Sequence, residues 1–199
     1  PQFYKQMAMA AGYDKVCEIG PVFRADPSFT SRHMTEFTGV DVEISWVDSH
    51  EDVMKFHEEW LQYVYKRVKE INGDEIRDLL GFDLIVPETP FPRLSMSEAY
   101  AILKAQDYSL PPERKGDIDP GGERLLGKYV KEKYGNDFVF VKDWPISVRP
   151  FYHMRHEDNP NLTKSFDLLG SGLEITTGAQ REHRPDVLLK QAEEKGLTA

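Results

Sequence analysis

Arg24, Asp26, Arg32, His33 and Phe37 lie close together between two apolar runs. An arginine at the root of a hairpin, with further cations in its loop, makes a polyphosphate clamp. Guanidinium groups grip phosphate oxygens bidentately and stay charged at any working pH. Phe37, at the start of the return strand, offers a ring face to a base. The competing reading is an exposed hairpin whose charges are solvated.

A second set sits in SFDLLGSGLEITTG. A two-residue turn at Gly170-Ser171 would set Asp167 directly opposite Glu174. Facing carboxylates repel by up to about 1 kcal/mol, and the pairing makes sense around a cation. Hard oxygen ligands suit Mg²⁺. A different turn length would leave both groups in water. GAQREHR follows, with Arg181 and Arg184 flanking His183; an arginine there can hold a substrate carboxylate, or simply start a helix at the surface. In QFYKQ, Gln2 and Lys5 share a helix face, and Lys5 can pair with a carboxylate or stand solvated. His57, His153 and His156 lack metal-like spacing, and His57 reads as structural. Cys17 reads as a core residue of a strand.

The elements that must position these groups are α and β in mixture. Residues 2–11 have helical composition, with Gly12 as the stop. Strands are expected at 16–24 and 37–46. In the second, Thr38, Val40, Val42, Ile44 and Trp46 form a core face, and Phe37, Gly39, Asp41, Glu43 and Ser45 a polar one. Ser49 and Asp52 read as a capping box for a helix with the stripe Val53, Phe56, Trp60, Leu61, Val64, Val68 and Ile71, ending at Asn72-Gly73. The stretch 73–145 is less regular, with a helix at 95–105 capped by Ser95 with Glu98 at the third position, a helix ending at Gly135 and a short strand at 137–141. Residues 147–154 read as a strand, 165–169 and 172–178 as a hairpin, and 183–195 as a helix. The class is α+β, with antiparallel strands and helices gathered on one side.

Composition narrows the rest. The chain has 199 residues, 40% hydrophobic and 12% aromatic, enough for a sizeable core. A net charge of -9 argues against a surface that binds nucleic acid as a whole. One cysteine excludes an internal disulfide and a zinc site built on cysteines. No apolar run has the ~20 residues of a membrane helix. A cytoplasmic setting is the expectation.

Taken together, these segments resemble the catalytic core of a class II aminoacyl-tRNA synthetase, most closely the aspartyl enzymes of archaeal and eukaryotic-like type. PQFYKQMAMAAGYDKVCEIGPVFRAD resembles the substrate-binding helix and the first half of class II motif 2, and EFTGVDVEIS its second half. FYHMRHEDNPNLTKSFDLLGSGLEITTGAQREHR resembles the stretch before motif 3. The resemblance implies an antiparallel sheet flanked by helices, with the motif 2 region at 16–46, an irregular insertion at about 73–145 and a hairpin at 165–178. It implies a fragment in which motif 1, motif 3 and the anticodon-binding domain are absent and which does not complete the reaction alone.

The same resemblance assigns roles. Arg24 touches the ATP α-phosphate and the amino-acid carboxylate. Asp26, where the family usually has glutamate, meets the adenine side. Arg32 or His33 meets the terminal phosphates, and Phe37 stacks on adenine. Gln2, Lys5, Asp41 and Arg181 bind aspartate. Asp167 and Glu174 hold Mg²⁺, with Glu174 also at the ATP. The implied partners are L-aspartate, ATP, tRNA(Asp) with tRNA(Asn) left open, and a second copy of the full-length enzyme. The alternatives are an asparaginyl-tRNA synthetase or a synthetase-like asparagine synthetase, and, in another class, a non-catalytic binding module.

Overall fold

The computed structural model describes residues 2–25, 34–112 and 116–197. It divides into two units, Pro1–Asp48 and Ser49–Ala199. In the first, α1 (Gln2–Ala10) precedes a two-stranded antiparallel ribbon of β1 (Lys15–Phe23) and β2 (Glu36–Ile44). The register pairs Glu18 with Asp41, Gly20 with Gly39 and Val22 with Phe37. The polar face of β2 is therefore continuous with the even positions of β1. The expected core face is not buried within this unit. Ile19 and Phe23 are about two-thirds exposed, at 69% and 68%, Val40 is exposed, and Trp46 is 90% exposed. Cys17 shares that face and is exposed too, rather than a core residue. A lone two-stranded ribbon has only one α-helix to cover it here, and the buried Lys5 of that helix packs over the polar face.

The second unit is built on a four-stranded sheet of order β3-β4-β5-β6: β3 (Arg93–Ser95), β4 (Phe138–Lys142), β5 (Ser165–Gly170) and β6 (Leu173–Ala179). β3 runs parallel to β4, and the remaining pairs are antiparallel. Helices lie on both faces, not one. β4 shows why: FVFVK is buried along nearly its whole length, as a strand covered on both sides must be. Phe138 and Phe140 pack with Phe166, Leu168, Phe91 and Met54 of α2 (His50–Leu80). Val139 and Val141 pack with Leu103 of α3 (Met96–Ala105) and with Leu126 and Val130 of α4 (Pro120–Tyr134).

Both expected capping boxes form, Ser49 with Asp52 and Ser95 with Glu98. α2, however, runs through Asn72-Gly73 to Leu80, and Gly81, at φ 76, caps it. An internal glycine costs about 1 kcal/mol against alanine, too little to halt a helix with intact hydrogen bonds on both sides. Only the first half of the apolar stripe packs; Val68 and Ile71 are exposed. The strand expected at 147–154 is instead a 3-10 turn, Ile146–Val148, followed by single bridges at His153 and Arg155. Pro145 and Pro150 offer no backbone N–H for a ladder. α5 (Pro185–Glu194) closes the chain's described part.

One close approach fixes the β5–β6 turn. Gly127 of α4 lies against Gly172; a Cβ added to Gly127 would stand 2.5 Å from the Gly172 nitrogen and 2.6 Å from its Cα. Gly127→Ala must push α4 and the turn apart, and is expected to cost about 1–3 kcal/mol, as overpacking does. Urea unfolding of the variant checks this; an unchanged midpoint would show that the contact yields freely.

Candidate active site

In the first unit, α1 and the polar ribbon face bring together most of the residues expected to bind an amino acid. Lys5 is 5% exposed. Its Nζ lies 3.2 Å from Asp41 Oδ2 and 3.5 Å from Glu43 Oε1. Gln2, one turn earlier, has a buried Nε2 without a hydrogen-bond partner, an idle donor. A cation flanked by carboxylates suits a zwitterion, since the cation takes a carboxylate and Asp41 an ammonium. Farther along the same face, the Arg24 guanidinium lies 5.3 Å from the centre of the Phe37 ring. Gly20 and Gly39 pair between these two groups and bring no side chains of their own, while Val22 Cγ2 reaches over Gly39. A Cβ at Gly20 would meet nothing within 4 Å. Glycines inside paired strands commonly mark such a close approach, and that signal was readable in the sequence. Asp26, Arg32 and His33 lie outside the described residues.

In the second unit the hairpin register differs from the expected one. The turn is Ser171-Gly172, with φ 51 and 76, and not Gly170-Ser171. That pairing puts Leu169 opposite Glu174, and a bulge then sets Asp167 opposite Thr177. Two consecutive left-handed residues are what a two-residue hairpin requires, and Ser171-Gly172 meets that need with glycine second. The carboxylates are thus not directly opposed, yet both lie on the α4 side of the sheet and line one small cleft with Asp117 and Glu123. Asp117 and Glu123 were not anticipated; they come from the irregular stretch and from α4.

Asp167 is 5% exposed. Its Oδ2 accepts a hydrogen bond from Arg149 Nη2 at 2.6 Å. Its Oδ1 is buried without a partner. Arg149 also lies over Trp144, 4.2 Å from the ring centre. Burial pushes the Asp167 carboxyl upward against the pull of Arg149. Glu174 is the more exposed of the two, and its carboxyl is pushed up to about 7 by desolvation at the cleft and by the repulsion of Asp167 and Glu123. An orphaned carboxylate oxygen beside an acid that resists ionisation is the donor set a divalent cation would relieve, so these residues fit Mg²⁺.

Arg181 follows β6, bridges to His153 and lies over Tyr152 at 4.4 Å. Arg184 instead turns back to Glu182, at 2.8 and 2.9 Å.

The model of the family described as tRNA synthetases class II (D, K and N) matches residues 1–199. The chain belongs to that family. It is 45% identical over its whole length to an aspartate–tRNA(Asp/Asn) ligase of Aeropyrum pernix, covering 45% of that protein. It is also 45% identical to an aspartate–tRNA(Asp) ligase of Pyrococcus abyssi, covering 99% of this chain and 44% of the relative. The chain thus spans less than half the length of these class II relatives. Among solved structures, the aspartyl-tRNA synthetase of Entamoeba histolytica superposes with a TM-score of 0.90 at 38% identity, covering 100% of this chain and 41% of that one. The asparaginyl-tRNA synthetase of Entamoeba histolytica in complex with asparaginyl-adenylate gives 0.84 at 27%, covering 99% and 44%. The α+β class and the synthetase resemblance read from the sequence agree with these matches.

Within this class II core, His153 is 8% exposed. Its pKa is lowered to about 3 by burial, with Arg149 and Arg181 adding repulsion. The unfolded chain therefore binds a proton below the ordinary histidine value of 6.5 that the folded chain refuses until about 3, so stability falls as pH drops through that window. His153→Gln is expected to flatten this part of the stability–pH curve, measured by chemical unfolding at successive pH values. Parallel curves would contradict a neutral, buried His153.

Proposed function

We propose that this chain is the aspartate- and ATP-binding part of an aspartate–tRNA ligase. The observation that carries the proposal is the buried Lys5 between Asp41 and Glu43, on the face that also bears Arg24 and Phe37. One surface then offers groups for an amino acid, a phosphate and a base. The aspartyl relatives support aspartate as the amino acid, and the two Entamoeba histolytica comparisons, 38% against 27%, lean the same way.

In the proposed reaction the aspartate α-carboxylate attacks the α-phosphorus of ATP. A new oxygen–phosphorus bond forms, and pyrophosphate departs with the electrons of the broken one. A hydroxyl at the tRNA 3′ end then attacks the acyl carbon, and AMP leaves. The protein supplies no nucleophile; it orients the reactants and neutralises charge. Arg24 balances charge at the α-phosphate and orients the attacking carboxylate, and Phe37 stacks on adenine. Asp26 meets the adenine side, and His33, in preference to Arg32, the terminal phosphates. Asp41 receives the substrate ammonium. Gln2, Lys5 and Arg181 bind the aspartate carboxylates. Asp167 and Glu174 would hold Mg²⁺, which when bound neutralises phosphate charge. tRNA(Asp) is the acceptor common to the names of both relatives and is the one proposed. The active protein is proposed to be a cytoplasmic homodimer of full length.

Arg181→Leu tests the amino-acid side of this reading in a protein of the relatives' full length. KM for aspartate should rise roughly tenfold to hundredfold, the loss of about 1.5–3 kcal/mol from a charged hydrogen bond, with ATP binding kept. An unchanged KM would remove Arg181 from the site.

A further inference from the structure

Three side chains of the second unit converge outside the residues used above: His50 at the start of α2, Asp143 just after β4, and His156 in the connection before β5. His156 Nε2 stands 2.9 Å from Asp143 Oδ1. His50 Nε2 stands 3.6 Å from the same oxygen. One ligand atom from each lies within 4.8 Å of the other two.

His50 is 4% exposed; among the described residues its Nδ1 has no hydrogen-bond partner, and its Nε2 faces Asp143 Oδ1 just beyond hydrogen-bond reach. Buried polar atoms without partners are rare in folded proteins and point to a missing ligand. The three groups are held from the backbone upward. His50 follows the Ser49 cap. Asp143, at φ 62, donates its N–H to Ser165 O at 3.0 Å. His156 donates its own N–H to Leu162 O at 3.0 Å. The neighbouring Lys142 ammonium is paired with Glu51 at 2.6 Å.

Two imidazoles and a carboxylate are a borderline donor set. They suit zinc and its neighbours in the first transition row, whereas Mg²⁺ prefers oxygen alone. A tetrahedral ion with bonds of about 2.0–2.1 Å holds its ligand atoms roughly 3.3 Å apart, a spacing that the 2.9 and 3.6 Å separations from Asp143 Oδ1 bracket. We propose that His50, Asp143 and His156 form a site for a zinc-class divalent ion, with the fourth position left to water. Such an ion would tie the start of α2 to the segments that flank β4 and β5.

The test is Zn²⁺ binding by the whole chain in a Cys17→Ser background. Excess Mg²⁺ is present to occupy the oxygen-only carboxylates. The expected result is one zinc retained per chain after dialysis. His50→Gln and His156→Gln should each weaken binding by at least the roughly 10–100-fold seen when mere supporting groups are removed. Should either variant fold poorly, the parent chain still decides the matter by NMR. The imidazole signals of His50 and His156 must move on adding Zn²⁺ in excess Mg²⁺, while those of His57 and His183 stay. No retained zinc, binding indifferent to both variants, or signals moving only at other histidines would overturn the proposal.

Discussion

Arg149→Met is expected to lower the unfolding free energy by about 3–5 kcal/mol, because it strands a buried carboxylate. Asp167 and Arg149 are both largely sealed from water, with side-chain exposures of 7% and 13%, and they meet at 2.6 Å. Methionine keeps most of the packing against Trp144 but leaves Asp167 Oδ2 as unsatisfied as Oδ1 already is. The loss should shrink as pH falls, starting above the ordinary carboxylate range because burial raises Asp167, since a protonated Asp167 no longer needs a counter-charge. Adding Asp167→Asn should recover much of the loss, and the double-variant cycle measures how much belongs to the pair. A loss that is the same with Asp167 present or replaced would locate the effect in the Trp144 contact instead.

Arg24→Ala is expected to reduce adenylate formation by about a thousandfold or more, the scale on which arginines act at transferring phosphates. Its folding cost should be small, since Arg24 is exposed and its described ring contact is with the partly exposed Phe37. The separation of the two effects is the point. Unfolding midpoints close to the parent's, with aspartate-dependent pyrophosphate exchange lost, would place Arg24 at the reacting phosphate. Exchange that persists within a few-fold would remove it from that role.

Local signals were read correctly where one short segment decides the outcome. The Ser49 and Ser95 caps, the stop of α4 at Gly135 and the FVFV strand each follow from neighbours in sequence. That Lys5 and Asp41 belong to one site was implied only by the family resemblance, because α1 and β2 lie far apart in sequence; their contact with each other was not foreseen. Errors arose where a decision is tertiary or turns on one residue. The hairpin register hinged on whether Gly170-Ser171 or Ser171-Gly172 forms the turn, and a bulge then compensated, returning Glu174 to the face of Asp167. The end of α2 was misplaced because Asn72-Gly73 is a turn signal that helical hydrogen bonding overrides. Arg149 was missed because it lies in a segment read as a strand, and its partner is known only once the fold brings β5 beside it. Asp143 escaped notice because only the fold brings His50 and His156 to it.

The most direct test of the proposed function is amino-acid-dependent ATP–pyrophosphate exchange, measured in a protein extended to the relatives' full length. L-aspartate should drive exchange and L-asparagine should not. On the proposed role of Lys5, an asparagine amide would deny that buried cation its carboxylate, a polar mismatch that supports discrimination on the order of 10⁴ or more. Exchange driven preferentially by asparagine, or by neither amino acid, would contradict the assignment.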